Sequence, residues 1–207
     1  HPDLFVLHGR NTSGSYKSMK TTKPETSLTR ELSTRYNFEK NIFFESTIYK
    51  SSVSDVLNRG TSTNAYNEII DIKQEGIENS FVIKKDDQVI KLSNTFSKSR
   101  EGDGDPQLRR PEKQYGIKYS KKISESILGP FNLTYDYKHI GKVEDWKNGS
   151  FRSKVDSSDI MNLILSKDIL SNTWSINIFN LTDENYQRPD TYNQEGRRIE
   201  LSFRSKY

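Results

Sequence analysis

Cysteine is absent from this 207-residue chain, which excludes a disulfide scaffold and any thiolate metal site and leaves the redox compartment open. Apolar material is scarce. Only 31% of residues are hydrophobic against 29% charged, too little for a thick packed core at this length. No stretch approaches the ~20 apolar residues of a membrane-spanning helix. Charge of one sign is not concentrated either: the net charge is +4 and the basic residues interleave with acidic ones, so no nucleic-acid partner is expected. The three histidines, His1, His8 and His139, are scattered without metal-ligand spacing. There is no Gly-x-Ser-x-Gly elbow and no glycine-rich phosphate loop, and nothing in the sequence sets paired carboxylates such as Asp103 and Asp105 across a cleft. The chain is therefore not expected to be an enzyme or to need a cofactor.

Alternation is what the sequence does have. Phe131, Leu133, Tyr135, Tyr137 and His139 interleave with Asn132, Thr134, Asp136 and Lys138, and Tyr115, Ile117 and Tyr119 with Gly116, Lys118 and Ser120. A period of two gives one apolar and one polar face, as in a half-covered β-strand. Nine such stretches are predicted, over residues 26–38, 41–54, 66–83, 88–99, 113–123, 130–140, 158–166, 173–181 and 196–207. The last runs to the final residue, with Ile199, Leu201, Phe203 and Tyr207 on one phase and Arg198, Glu200, Ser202, Arg204 and Lys206 on the other.

The connections alternate too. Short links at 38–41, 84–88, 124–129 and 167–172 separate long polar ones at 9–24, 55–65, 100–111, 141–156 and 182–195. Such a rhythm fits an antiparallel up-and-down transmembrane β-barrel, with tight turns at one rim and long loops at the other, and it tolerates this composition because only every second residue faces lipid. Nine strands leave two open edges, which hydrocarbon does not permit. The expected all-β fold is therefore an incomplete portion of a barrel, an open curved sheet. The chain begins His1-Pro2-Asp3 without Met, so its N-terminus is expected to be processed or missing.

Particular residues then carry a family resemblance. His1-Pro2-Asp3-Leu4-Phe5-Val6-Leu7-His8-Gly9, Lys23-Pro24-Glu25-Thr26-Ser27 and Arg35-Tyr36-Asn37-Phe38 resemble the "P-x-L-x-x-L-x-G … K-P-E-x-S … Y-x-F" passage of TonB-dependent outer-membrane receptors. Val53-Ser54-Asp55-Val56-Leu57 resembles the end of that family's next strand, and Asn67 through Gly76-Ile77-Glu78 the strand after it. Arg109-Arg110-Pro111, Ile140-Gly141-Lys142, Asn180-Leu181-Thr182-Asp183-Glu184-Asn185-Tyr186 and Gly196-Arg197 resemble its later motifs, in family order. Thr182 stands where the family has Phe, an extra residue intrudes near Glu75, and Ser205 replaces an apolar residue. The spacing is most similar to the cobalamin and siderophore receptor branch.

The resemblance implies a cell outer-membrane receptor of about 22 strands, filled by a plug domain and importing a scarce metal chelate, cobalamin or a ferric siderophore, with energy relayed by TonB. Residues 1–207 correspond to the C-terminal part of that barrel, with the plug absent and with it the contact to TonB. The expected partners are outer-membrane lipid, the chelate and the barrel-insertion machinery. The last of these reads a terminal aromatic signal, here Leu201, Phe203 and Tyr207.

In the outward loops, Arg109 and Arg110 can grip a carboxylate or phosphate bidentately, or pair with a neighbouring strand's acid. Trp146, Phe151, Tyr186 and Tyr192 can stack on a flat ligand, or belong to an interfacial belt. Glu101-Gly102-Asp103-Gly104-Asp105 invites calcium, with Asp103 and Asp105 as ligands, but it lacks the EF-hand pattern, and a solvated acidic turn is the favoured reading. A passive outer-membrane channel and a soluble carbohydrate-binding β domain are the rival functions. Partitioning into detergent micelles separates the soluble reading from both barrels; pairing between the strand near Thr26 and that near Phe203 would exclude the open sheet.

Overall fold

The computed structural model describes residues 23–58, 68–102, 104–147 and 151–205, so the motifs at His1–Gly9, Asn67, Asp103 and Tyr207 lie outside the described residues. Eleven strands follow one another: β1 (Thr26–Glu39), β2 (Ile42–Asn58), β3 (Glu68–Lys85), β4 (Gln88–Glu101), β5 (Lys113–Ile123), β6 (Phe131–Ile140), β7 (Val143–Lys147), β8 (Phe151–Val155), β9 (Ser158–Ile169), β10 (Asn172–Phe179) and β11 (Arg198–Ser205). Nine of them form one antiparallel sheet in the order β1-β2-β3-β4-β5-β6-β9-β10-β11. β1 and β11 are its two edges and do not pair with each other, so the sheet is open.

The remaining two, β7 and β8, pair only with each other. They correct the expectation of a polar loop over 141–156. Val143 and Val155 oppose each other and are buried, so this excursion has a small core of its own. The signal was present locally: Asn148-Gly149 between short alternating runs is a strong hairpin cue.

Register lines up apolar rows across the sheet. On one face, Ile42, Ile83, Ile90, Tyr119, Tyr135, Leu163, Ile178 and Ile199 are cross-strand partners in succession from β2 to β11. A parallel row runs Tyr36, Phe44, Phe81, Leu92, Ile117, Tyr137 and Met161. The other face is bound by short polar links such as Ser33 to Thr47 at 2.9 Å, Ser120 to Thr134 at 3.1 Å and Ser175 to Ser202 at 2.8 Å. There Arg35 bridges to Glu45 at 3.2 Å and covers the Phe43 ring at 3.9 Å.

The apolar face is uncovered. Leu32 is 66% exposed and Leu201 79%, while the buried hydrophobic residues among those described are Val82, Val143 and Val155. Burying each such Leu is worth about 1.5–3 kcal/mol, and a monomer in water rarely displays a continuous apolar face of this extent. Aromatic rings mark both rims of the band. Tyr36–Phe38 (4.8 Å), Phe38–Phe81 (5.9 Å) and Trp174–Phe203 (4.8 Å) lie toward the tight turns, and Phe96–Tyr115 (5.7 Å) toward the long loops.

A polar row interrupts the band, for Thr34, Ser46, Asn79, Asn94, Tyr115, His139 and Asp159 are cross-strand partners in succession on this face. Asn79 and Asn94 are direct partners on the apolar face, and Asn79 Nδ2 donates to Asn94 Oδ1 at 2.9 Å, so the two amides share one hydrogen bond. Removing one partner strands the other, whereas replacing both by apolar residues does not. Asn79→Leu or Asn94→Leu alone should destabilise the sheet by about 1–3 kcal/mol, and the double leucine variant should return to near the parent value. Urea unfolding in detergent micelles checks this; additive single effects would overturn it.

Candidate functional site

The described long loops emerge at one rim, and three segments there are tied together by charged side chains at their bases. The β4–β5 loop, residues 102–112, is pinned first. Arg100 Nη2 donates to Glu112 Oε1 at 2.7 Å, Ser99 Oγ donates to Gln107 Oε1 at 2.6 Å, and Gln107 N donates to the Ser99 carbonyl at 2.9 Å. Against this loop leans the β7–β8 hairpin. Arg152, on β8, reaches back to the Pro106 carbonyl at 2.7 Å, to Glu144 and Glu101 at 3.1 Å each and to Asp105 at 3.3 Å. A planar guanidinium presents five donors in a fork, which is why one Arg gathers three carboxylates and a carbonyl where Lys would serve fewer.

Asp145 on β7 is the second node and is fully buried. Its Oδ1 accepts from Arg109 Nε at 2.8 Å and its Oδ2 from the Asp190 backbone N–H at 2.8 Å. One carboxylate thus joins the β4–β5 loop, the hairpin and the β10–β11 loop. The Arg109 N–H also donates to the Glu144 carbonyl at 2.8 Å, and Ser153 Oγ donates to Asp190 Oδ2. The third node is Arg188, in the β10–β11 loop. Its Nη2 donates to the carbonyls of Ile140 at 3.2 Å and Gly141 at 3.1 Å and contacts Ser158 Oγ at 3.4 Å. Burial lowers the Arg188 pKa, while the Tyr186 charge opposes that shift. Arg keeps its proton regardless.

The Asn180-Leu181-Thr182-Asp183 and Gly196-Arg197 motifs acquire a mechanical reason. Asn180, buried and at φ +49°, receives the Glu184 N–H at 2.8 Å on Oδ1 and donates from Nδ2 to the carbonyls of Glu184 at 2.9 Å and Glu195 at 3.3 Å. It therefore ties the entry of the loop to its exit. Asp183 Oδ1 accepts the Arg197 N–H at 2.7 Å, and a Cβ on Gly196 would stand 2.8 Å from that same oxygen. Only glycine leaves room for this closure.

The sequence-level candidates do not converge on one spot. Arg109 is held by Asp145. Arg110 lines a different place, an exposed cavity of about 460 Å³ that also includes Lys113, His139, Gly141 and Lys154. Tyr186 is half-buried, its carbonyl accepting the Gln194 N–H at 3.0 Å, and Tyr192 is 66% exposed. The backbone of Trp146 pairs with Arg152 in the hairpin. Asp105 and Glu101 converge on Arg152, and among the described residues no group of three or more His, Asp or Glu is placed to hold a metal. Leu201 and Phe203 lie on the apolar face of β11 opposite Ile176 and Trp174. Sequence reasoning missed Asp145, Arg152 and Arg188, whose partners are mostly 30 or more positions away in the chain.

Asp145→Ala should loosen the loops and leave the wall intact. It leaves the Asp190 N–H unpaired in a buried place, a cost of roughly 1–3 kcal/mol, or about a five- to 150-fold rise in local opening. Amide hydrogen exchange should accelerate by that factor in 143–155 and 186–193 and stay unchanged in β2–β4. Asp145→Asn, which can still accept, should fall between.

No family model matches this sequence, and no curated protein matches it. Solved structures do. The chain is similar to the copper transporter OprC, with a TM-score of 0.73 and 14% identity over 98% of this chain and 35% of that one. The ferric-catecholate import receptor Fiu from E. coli K12 gives 0.69 and 15% over 97% and 30%. The ferripyoverdine receptor of the outer membrane of Pseudomonas aeruginosa gives 0.70 and 16% over 89% and 27%. The chain thus spans about a third or less of the length of each. These neighbours are TonB-dependent outer-membrane receptors, and the open nine-stranded sheet with its long-loop rim has the fold of part of their barrel wall.

Proposed function

We propose that this chain is the C-terminal portion of the β-barrel of a TonB-dependent receptor in the cell outer membrane, one that imports a metal chelate. The observation that carries the reading is the pairing of an uncovered apolar face with a rim of cross-braced loops. The first suits lipid, and the second suits a ligand held by several loops at once. The solved neighbours, with the printed descriptions copper transporter, ferric-catecholate import receptor and ferripyoverdine receptor, support chelate import as the class.

The backbone groups along the outer edges of β1 and β11 have no strand partner within the described sheet, and hydrocarbon penalises each by several kcal/mol. Further strands close the wall in the complete receptor, and the plug that meets TonB belongs to the remainder. The chelate is of the cobalamin or ferric-siderophore kind. Braced loops hold it with little ordering cost at binding, because Asp145, Arg152 and Arg188 have already fixed the loop bases.

Tyr192, exposed in the β10–β11 loop, and Tyr186 in the same loop supply the stacking surfaces, with Trp146 a further candidate from the sequence alone. A stacked aromatic contributes about 0.5–1.5 kcal/mol, so Tyr192→Ala should weaken binding roughly two- to tenfold without lowering the amount of receptor in the membrane. The test is fluorescence titration of the purified receptor with ferric siderophores and with cobalamin, together with uptake in cells with and without TonB. Uptake that persists without TonB, or no binding of any chelate, would overturn the reading.

A further inference from the structure

We propose that the exterior face of β3 and β4 is a contact between two copies of the receptor lying side by side in the membrane, centred on the Asn79–Asn94 pair. The inference rests on the wall lying in an outer membrane and is independent of which chelate the loops take. Depth comes first. Asn79 stands six positions from Lys85 at the end of β3, and Asn94 six positions from Gln88 at the start of β4. That is roughly 20 Å along the strand and about 15 Å along the membrane normal at the usual barrel tilt, inside an apolar band about 25 Å tall. The rows on either side are apolar, with Phe44, Phe81 and Leu92 toward the tight turns and Ile48, Ile77 and Phe96 toward the long loops. The two amides are thus enclosed above and below by the lipid-facing band.

Hydrocarbon offers these side chains no partner. An Asn side chain has two N–H donors and a carbonyl acceptor, so the one bond from Asn79 Nδ2 to Asn94 Oδ1 leaves the Asn79 carbonyl and three N–H groups without a partner among the described residues. Both residues are half-buried on the exterior face, so these groups are open to whatever lies against the wall. Acyl chains cannot meet them, water is excluded at this depth, and an unmet amide there is costly. Polar side chains inside a membrane are met by another polypeptide.

The groups left over are the ones a second copy supplies. With a two-fold axis along the membrane normal through the pair, Asn94 Nδ2 of one copy meets Asn79 Oδ1 of the other, and the same bond forms in reverse. A charged partner would answer either the N–H groups or the carbonyl, not both. Tilt then names the residues nearest the axis. The row through Ile42, the first residue of β2, reaches β9 at Leu163, six positions above the end of that strand, so rows climb away from the tight turns from β2 to β9. Such a climb places Phe81 on β3 below Asn94, and Phe96 on β4 above Asn79, along the membrane normal. Phe96 and Leu92, both exposed, give the amides an apolar surround.

The test uses the complete receptor in liposomes, labelled with donor and acceptor fluorophores and followed by energy transfer as it is diluted with lipid. The parent should self-associate, and N79L/N94L should need a receptor-to-lipid ratio at least about tenfold higher for the same transfer. N79Q/N94Q, which keeps both amides, should retain association, and heat-modified electrophoretic mobility confirms that each variant is folded. A second readout does not depend on the leucine variant folding. Under copper phenanthroline oxidation, Phe96→Cys in a receptor otherwise free of cysteine should form disulfide-linked pairs, whereas Leu165→Cys, on the same face of β9, should not. A parent that stays monomeric at every dilution has lipid on the pair and overturns the proposal. Unchanged transfer in a folded N79L/N94L, equal cross-linking at the two cysteines, or one-to-one cross-linking of Phe96→Cys to a different protein does the same. Failure of the parent to insert would overturn it together with the outer-membrane reading. Insertion as a monomer overturns this inference alone.

Discussion

Everything in this structure depends on the register of the interstrand hydrogen-bond ladder. The described sheet buries almost no hydrophobic side chain, Val82 excepted, so no jigsaw core fixes its strands. What fixes them is backbone pairing from β1 to β11 and the chemical difference between the two faces that the pairing maintains. A slip of one residue in β3 would put Glu78, Ser80 and Lys84 where Ile77, Asn79 and Ile83 now stand, and would move the whole apolar set to the other face at once. Tight turns hold against such a slip. Asp86 and Leu170 adopt positive φ at the β3–β4 and β9–β10 turns, and a bulge between Asn37 and Glu39 sets the β1–β2 junction.

The outer rim solves a different problem. Loops lack ladders, so their geometry must come from side chains, and arginine and carboxylate nodes supply it. Asp145 is the most telling, because a fully buried carboxylate is costly unless its oxygens are met, and here Arg109 and the Asp190 N–H meet both. The hairpin β7–β8 makes this possible. It raises Asp145, Ser153 and Arg152 above the wall between two neighbouring loops and gives them a small apolar footing in Val143 and Val155. A rim built this way has its loop bases fixed by side chains in place of a ladder.

The wall was legible in the sequence because its physics is local. A period of two, β-branched and aromatic residues and turn signals repeated in a short-long rhythm are all read within a dozen residues, and the observed strands match the predicted ones to within a few positions, extending further outward in β2 and β4. The braces were not legible. Arg152 meets Glu101 across 51 positions and Arg188 meets Ile140 across 48, and no local pattern records such a contact. Arg109 shows the same limit within a single motif: Arg-Arg-Pro identified a loop base, yet nothing in it distinguished the arginine that pairs with Asp145 from the one that does not. The Asn180 and Gly196 motif was visible as a resemblance, but its reason, a loop tied shut through Asp183 with no room for a Cβ, exists only in three dimensions.

Arg109 and Arg110 also show how a one-layer wall can carry two unrelated surfaces. In a packed domain a residue pointing away from the core meets water, and its neighbour pointing inward meets other side chains. In a sheet with no core, neighbouring residues meet different environments outright, and the base of the β4–β5 loop does the same, with Arg109 turned to the braces and Arg110 to the cavity. Each side can then change without disturbing the other, provided the ladder between them stays in register. The polar face confirms the independence. Its small Ser, Thr and Asn residues link by short hydrogen bonds across strands and contribute nothing to the apolar rows behind them. The ladder is thus the shared constraint, and it leaves the chemistry of the rim and of the exterior free to differ.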